Sequence, residues 1–212
     1  MCLTVDTFEV ASPSGQARVY LHPVDRPRAG LVLGHGAGGG VTAPDLVAVR
    51  EAVLADGVAV ALVEQPYRVA GRRSPAPAAQ LDAAWTAVVA RLREDELRGL
   101  PLVVGGRSSG ARVACRTAPA TGAIAVLCLA FPLQPARRAG AAPAPSRLGE
   151  LDAVTVPTLV VQGTSDRFGI PPAAARRTVV QVAGDHGLKA DLHAVGAAAQ
   201  AWLARILAPS AA

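Results

Sequence analysis

Gly105 to Arg112, "GGRSSGAR", follows the apolar run "LPLVV" (100–104) and precedes "VACRTAP" (113–119). A buried strand here turns into a helix, with two serines held between glycines at the turn. A serine hydroxyl is lifted clear of a sheet when a sharp strand-to-helix turn forces the residue into a strained backbone conformation, and that turn crowds the positions two before and two after. Both must therefore be small. Centring the turn on Ser108 places Gly106 and Gly110 at those positions, whereas centring it on Ser109 would place Arg107 at one of them. The pattern thus selects Ser108. A packing explanation, in which the glycines only bring strand and helix close and the serines cap the helix, competes with it.

Outward from this turn, short β-branched runs alternate with longer stretches of helical period, the signature of an α/β domain with a mostly parallel sheet. The runs are "TFEVAS" and "ARVYLHP", joined by "PSG" as an antiparallel hairpin, then "GLVLG", "VAVALVE", "PLVVGG", "AIAVLCLAF", "PTLVVQG" and "TVVQVAG". Eight strands are expected. Leu46, Val49, Val53 and Leu54 share one helical face, as do Leu81, Trp85, Val88, Val89 and Leu92, and Val195, Ala199, Trp202 and Ile206. These stripes read as faces packed on the sheet. The helix after Ser108 should end near Pro119, and "RVAGRRSPAPAA" and "LQPARRAGAAPAPSR" read as surface loops.

A serine attacks poorly unless a base removes its proton, and that base needs an orienting carboxylate. Of the four histidines, His186 in "AGDHGLK" directly follows the last strand, where its loop can reach over the strand ends. His22 ends the edge hairpin and His193 lies in the final helical stretch, so both read as surface or packing residues. Asp166 in "VVQGTSDRFG" follows the seventh strand and precedes His186 in the chain. Asp185 adjoins His186, so its side chain should diverge, and Asp152 leads into the seventh strand from the opposite end. Developing negative charge on a substrate oxygen calls for preorganised backbone donors. The N–H of Ser109 is one candidate, and that of Ala37 in "LGHGAGGG" (33–40) is the other.

The same glycine loop allows a second reading, because Gly34, Gly36 and Gly39 spell Gly-x-Gly-x-x-Gly and Glu64 closes the next strand where a ribose-binding acid would stand. Against a dinucleotide site, His35 interrupts the fingerprint, Gly40 and Pro44 delay the helix, and two strands come first.

Composition bounds the rest. With 212 residues, one domain over 1–212 is the simplest organisation. The chain is 51% hydrophobic but only 3% aromatic, so small aliphatic residues fill the core. A net charge of +5 is spread over paired arginines without interleaved aromatics, which argues against nucleic acid as a partner. Cys2, Cys115 and Cys128 are odd in number and lie in no metal-ligand spacing, and no signal segment opens the chain, which suggests a reduced, cytoplasmic protein. The uncharged stretch 117–136 is broken by glycine and prolines and does not read as a membrane span. No cofactor or metal is called for.

In their order along the chain, "GHGAGGG", "GGRSSGAR", "FPLQP", "VQGTSDRFG" and "GDHGLK" resemble the α/β-hydrolases. The likeness is to the small lidless branch that includes dienelactone-hydrolase-like proteins and the group related to testis-expressed protein thirty. That resemblance implies Ser108 as nucleophile, Asp166 as acid, His186 as base, and Ala37 and Ser109 as oxyanion donors. Ser109 and Ala111 depart from the bulkier residue and the second glycine frequent at their positions. The activity implied is a serine hydrolase acting on small acyl esters. Some members of the family serve as scaffolds, so a non-catalytic interaction module is the alternative. The span from Pro132 to Asp152 is too short for a cap domain. Arg107 beside Ser108, with Arg137 and Arg138 after the sixth strand, either face water or attract a substrate carboxylate.

Overall fold

The computed structural model describes residues 5–135 and 144–208. Eight strands form one sheet: β1 (Asp6–Ser12), β2 (Gly15–His22), β3 (Ala29–Gly34), β4 (Val58–Glu64), β5 (Leu102–Arg107), β6 (Ala125–Leu129), β7 (Thr158–Gly163) and β8 (Arg177–Val182). Their order across the sheet is β1-β2-β4-β3-β5-β6-β7-β8. β1 and β2 pair antiparallel, as the "PSG" turn predicts, and β2 meets β4 antiparallel. Every later pairing is parallel. Parallel strands covered on both faces must be apolar throughout, and β3, β6 and β7 are buried along their whole length.

Among the described residues six helices cover the sheet: α1 (Pro44–Leu54), α2 (Pro66–Val69), α3 (Ala78–Glu94), α4 (Ser109–Thr121), α5 (Leu148–Asp152) and α6 (Leu192–Ile206). Alternation along the strands divides the core into two layers. Val32, Val104, Val126 and Val160 face α3 and α4, meeting Trp85, Val88, Val89 and Val113. Leu31, Leu33, Leu127 and Leu159 face the opposite way, toward Leu46, Val49 and Val53 of α1 and Val195, Ala199 and Trp202 of α6. The three apolar stripes therefore cover the sheet from both sides.

Two local expectations differ from the structure. α4 runs through Pro119 to Thr121 and ends at Gly122 in the left-handed conformation. A proline in the last turn sacrifices one backbone bond, while burial of Ala118 and Thr121 keeps that turn against the core. α2 and α5, of four and five residues, lie in stretches whose sequence carries no helical period.

The topology locates the site. β3 lies between β4 and β5, so the chain passes over β3 on its way from β4 to β5 and changes sides. α1 after β3 and α4 after β5 lie on opposite faces. At such a switch point a crevice opens beyond the carboxyl ends of the two strands. The glycine loop and the Ser108 turn meet there.

Candidate active site

Ser108 occupies the one-residue gap between β5 and α4, with φ 52° and ψ −108°. Positive φ is costly for a residue carrying Cβ, and neighbouring backbone imposes it here. A Cβ on Gly106 would lie 2.5 Å from the Gly34 carbonyl oxygen, and one on Gly110 would collide with that same oxygen. Both glycines therefore permit the turn to press against β3. Ser108 N–H donates to the Leu129 carbonyl at 2.9 Å, which ties the turn to β6.

The structure brings His186 and Asp166 to this hydroxyl. His186 Nε2 lies 2.9 Å from Ser108 Oγ, and its Nδ1 lies 2.8 Å from Asp166 Oδ2. Asp166 stands in the turn after β7, its side chain fully buried. Oδ2 also accepts from Gln162 Nε2 at 2.8 Å, and Oδ1 accepts from the Phe168 N–H at 2.9 Å. With both oxygens occupied, the carboxylate cannot rotate freely. The Phe168 ring meets the imidazole edge-on, centroids 4.5 Å apart. Asp185, adjacent to His186, accepts from Gly187 N–H at 2.8 Å and shapes the turn that presents the histidine. His193 is exposed on α6, and His22 is buried at the end of β2.

The glycine loop lies against the Ser108 turn, and a Cβ on Gly36 would come within 3.6 Å of Ser108 Cβ. Among the described residues, neither the Ala37 nor the Ser109 N–H is engaged by another group. Two side chains hold this loop in shape. His35 Nδ1 donates to the Gly36 carbonyl at 2.8 Å while Nε2 accepts from Gln65 N–H at 3.1 Å, an arrangement that requires the neutral ring. Burial lowers the His35 pKa and favours that form. From α2, Tyr67 hydroxyl donates to the Ala37 carbonyl at 2.9 Å. Burial raises the Tyr67 pKa, so the phenol keeps the proton it donates.

Four of these supporting residues escape a reading of the sequence. Gln162 carried a faint signal, an amide inside the otherwise apolar run "TLVVQG". Its Nε2 lies within reach of Phe131 O (3.1 Å) and Gly169 O (3.0 Å) as well as Asp166. Tyr67, Gln65 and Phe168 carry no periodic or motif signal. Arg107 does not stand free toward solvent: its Nε lies 2.8 Å from buried Asp45 and its Nη2 donates to the His186 carbonyl at 3.0 Å. Arg137 and Arg138 lie outside the described residues.

Glu64, the acid of the dinucleotide reading, accepts from Tyr20 hydroxyl at 3.3 Å. α1 begins only at Pro44, so its first turn does not rise from the glycines. Among the described residues no three His, Cys, Asp or Glu side chains converge as a metal site, and no helix is long and apolar enough to cross a membrane.

A mostly parallel eight-stranded sheet, covered by helices on both faces and carrying a strained serine at the β5–α4 turn, is the architecture of the lidless α/β hydrolases. This chain belongs to the alpha/beta hydrolase domain family, whose profile matches residues 27–210. Among solved structures it resembles an α/β serine hydrolase without lid from Xanthomonas campestris, at TM-score 0.74 and 17% identity over 98% of this chain and 97% of that one. It also resembles Est1E from Butyrivibrio proteoclasticus, at TM-score 0.78 and 17% identity over 96% and 99%. Dienelactone hydrolase from Anabaena variabilis gives TM-score 0.73 and 17% identity over 97% and 99%. At these identities the likeness is one of fold. A search of curated proteins returns no match.

Proposed function

We propose that this protein is a serine hydrolase that cleaves small carboxylic esters through an acyl-enzyme, with Ser108, His186 and Asp166 as its triad. The observation that carries the reading is the unbroken chain Ser108 Oγ, His186, Asp166, with spacings of 2.9 and 2.8 Å. His186 Nε2 removes the hydroxyl proton as Oγ attacks the ester carbonyl, and Asp166 steadies the imidazolium. The carbonyl oxygen takes up negative charge facing the Ala37 and Ser109 N–H groups. Collapse of this intermediate breaks the ester bond, and His186 returns the proton to the departing alkoxide. Water, activated by the same histidine, then attacks the acyl-serine, releases the acid and restores Ser108.

No group other than the chain and water is needed for these steps. The reading treats residues 1–212 as one working domain with a small-molecule substrate. Cys115 and Cys128 form a buried pair of thiols, Sγ atoms 3.5 Å apart, which suits a reducing compartment such as the cytoplasm.

The test is fluorophosphonate labelling with peptide mapping, beside hydrolysis of a p-nitrophenyl ester. Label should fall on Ser108, Ser108→Ala should abolish turnover, and Ser109→Ala should retain most of it because Ser109 offers its backbone. Loss of both label and turnover in His186→Ala is also expected, since effects within a triad are not additive. Wild-type turnover in Ser108→Ala would remove the proposal and leave a non-catalytic module as the better account.

A further inference from the structure

Arg107 fills the position that the Gly-x-Ser-x-Gly pattern leaves unspecified, yet its side chain touches three separate segments. Its Nε lies 2.8 Å from Asp45 Oδ2 in the first turn of α1. Nη2 donates to the carbonyl of His186, in the turn after β8, at 3.0 Å. Nη1 borders the glycine loop, where a Cβ on Gly36 would come within 2.9 Å of it. The Asp45 side chain is fully buried, and that of Arg107 is 19% exposed. Oδ1 of Asp45 accepts from Leu46 N–H at 3.0 Å, while Oδ2 has the charge contact without an aligned hydrogen bond.

A carboxylate taken fully out of water carries a large desolvation penalty, and an arginine that merely faced solvent would not require one. Burying Asp45 beside Arg107 makes sense if the guanidinium must be held in one place. The planar guanidinium presents Nε to the carboxylate and Nη2 to the carbonyl in fixed directions from two separate nitrogens, whereas a lysine ammonium is a single point charge on a flexible stem and would not hold the two partners at that spacing. The peptide that Arg107 holds belongs to the very residue whose ring reaches Ser108.

We propose that Arg107 is a positioning residue: anchored on Asp45, it holds the His186 backbone at the height from which Nε2 meets Ser108 Oγ. The inference rests on the triad reading. It assigns Arg107 to the geometry of the base and not to recognition of a substrate carboxylate.

The test compares wild type, Arg107→Lys, Asp45→Asn, the double variant and Ser108→Ala, using a neutral acetyl ester and an ester bearing a carboxylate. In Arg107→Lys, kcat should fall by about tenfold to a hundredfold, the cost of misplacing a reacting group by roughly an ångström. KM should stay within about twofold for both esters. Asp45→Asn should act in the same direction, and the double variant should be no worse than the weaker single, because the two act through one contact. The low-field proton resonance of the His186 Nδ1–H bonded to Asp166 should broaden or shift in Arg107→Lys, a readout that needs no turnover. A rise in KM confined to the carboxylate ester with kcat intact would overturn the proposal in favour of substrate binding. Wild-type kcat with an unmoved resonance would overturn it outright. Should Arg107→Lys fail to fold, Asp45→Asn decides by the same measurements. Activity persisting in Ser108→Ala would instead sink the triad reading, whereas an inactive Ser108→Ala beside an undiminished Arg107→Lys would sink this inference alone.

Discussion

Tyr67 and His35 illustrate how single side chains set a backbone that itself has no side-chain chemistry. Removing the Tyr67 hydroxyl leaves the Ala37 carbonyl without its partner, and a lost hydrogen bond of this kind costs about 1 kcal/mol. In Tyr67→Phe, kcat for ester hydrolysis should therefore drop by up to about fivefold with KM nearly constant, because a loosened loop presents its N–H less often to the oxyanion. Equal kcat in the two proteins would mean that the loop keeps its shape unaided. His35 makes a prediction about pH. Burial lowers its pKa, with the Gly36 hydrogen bond opposing, so the folded protein binds fewer protons here than the unfolded chain does. Its stabilising share is complete above about pH 6.5, the ordinary histidine range, and is lost as pH falls toward the lowered value. The Tm should decline between pH 7 and pH 5, and His35→Gln should flatten that decline. A residue of slope should survive from His22, which burial lowers as well. Ser108, His186 and Asp166 could be named as candidates from the sequence because each stands in a loop or turn that follows a strand, whereas Tyr67 in the one-turn helix α2 and Gln65 just before it have no pattern to mark them.

The β5–α4 junction shows what an element boundary demands. Both Gly106 and Gly110 face the Gly34 backbone, and backbone cannot yield as the end of a flexible side chain can. Gly110→Ala should cost about 1–3 kcal/mol, the usual range for overpacking a well-filled site, seen as a lower urea midpoint at unchanged m. Gly149→Ala, in α5 with no atom within 4 Å of its added methyl, should leave stability level or raise it by up to about 1 kcal/mol. If the two substitutions proved equal, close backbone approach would not be the reason for glycine at the turn. The strands were readable because each buried run is nearly continuous in Val, Leu and Ala, and the long helices because their stripes recur at helical spacing. α2 and α5 were not, since one turn of helix shows no period. α4 continues past Pro119 for a related reason: proline is a strong local signal, but the burial of Ala118 and Thr121 that overrides it is a tertiary fact.

Over the whole molecule, a lidless crevice at the carboxyl ends of β3 and β5, with few aromatics in the chain, offers an acyl group little enclosure. Each fully buried methylene is worth about 0.8 kcal/mol, and a chain lying beside Phe168, which packs on the His186 ring, would realise only part of it. Under the proposed function, kcat/KM across p-nitrophenyl esters should favour acetyl and butyryl over octanoyl. A steady rise to ten carbons would reveal an apolar channel. The α/β class, the eight strands, the antiparallel hairpin at one edge and the register of the turn at Ser108 are legible in the residues alone, because periodicity, turn residues and local crowding are properties of neighbours in the chain. That β5 lies on the far side of β3 from β4, and so which loops meet above the switch point, follows from the folded sheet and from no single segment. The tertiary structure alone turned Arg107 from a solvent-facing cation into the partner of Asp45 and the His186 carbonyl, 62 and 79 positions away respectively. Contacts of that span depend on strand order and on which face each helix covers, and these follow from burying the whole apolar surface together, which no local stretch of sequence encodes.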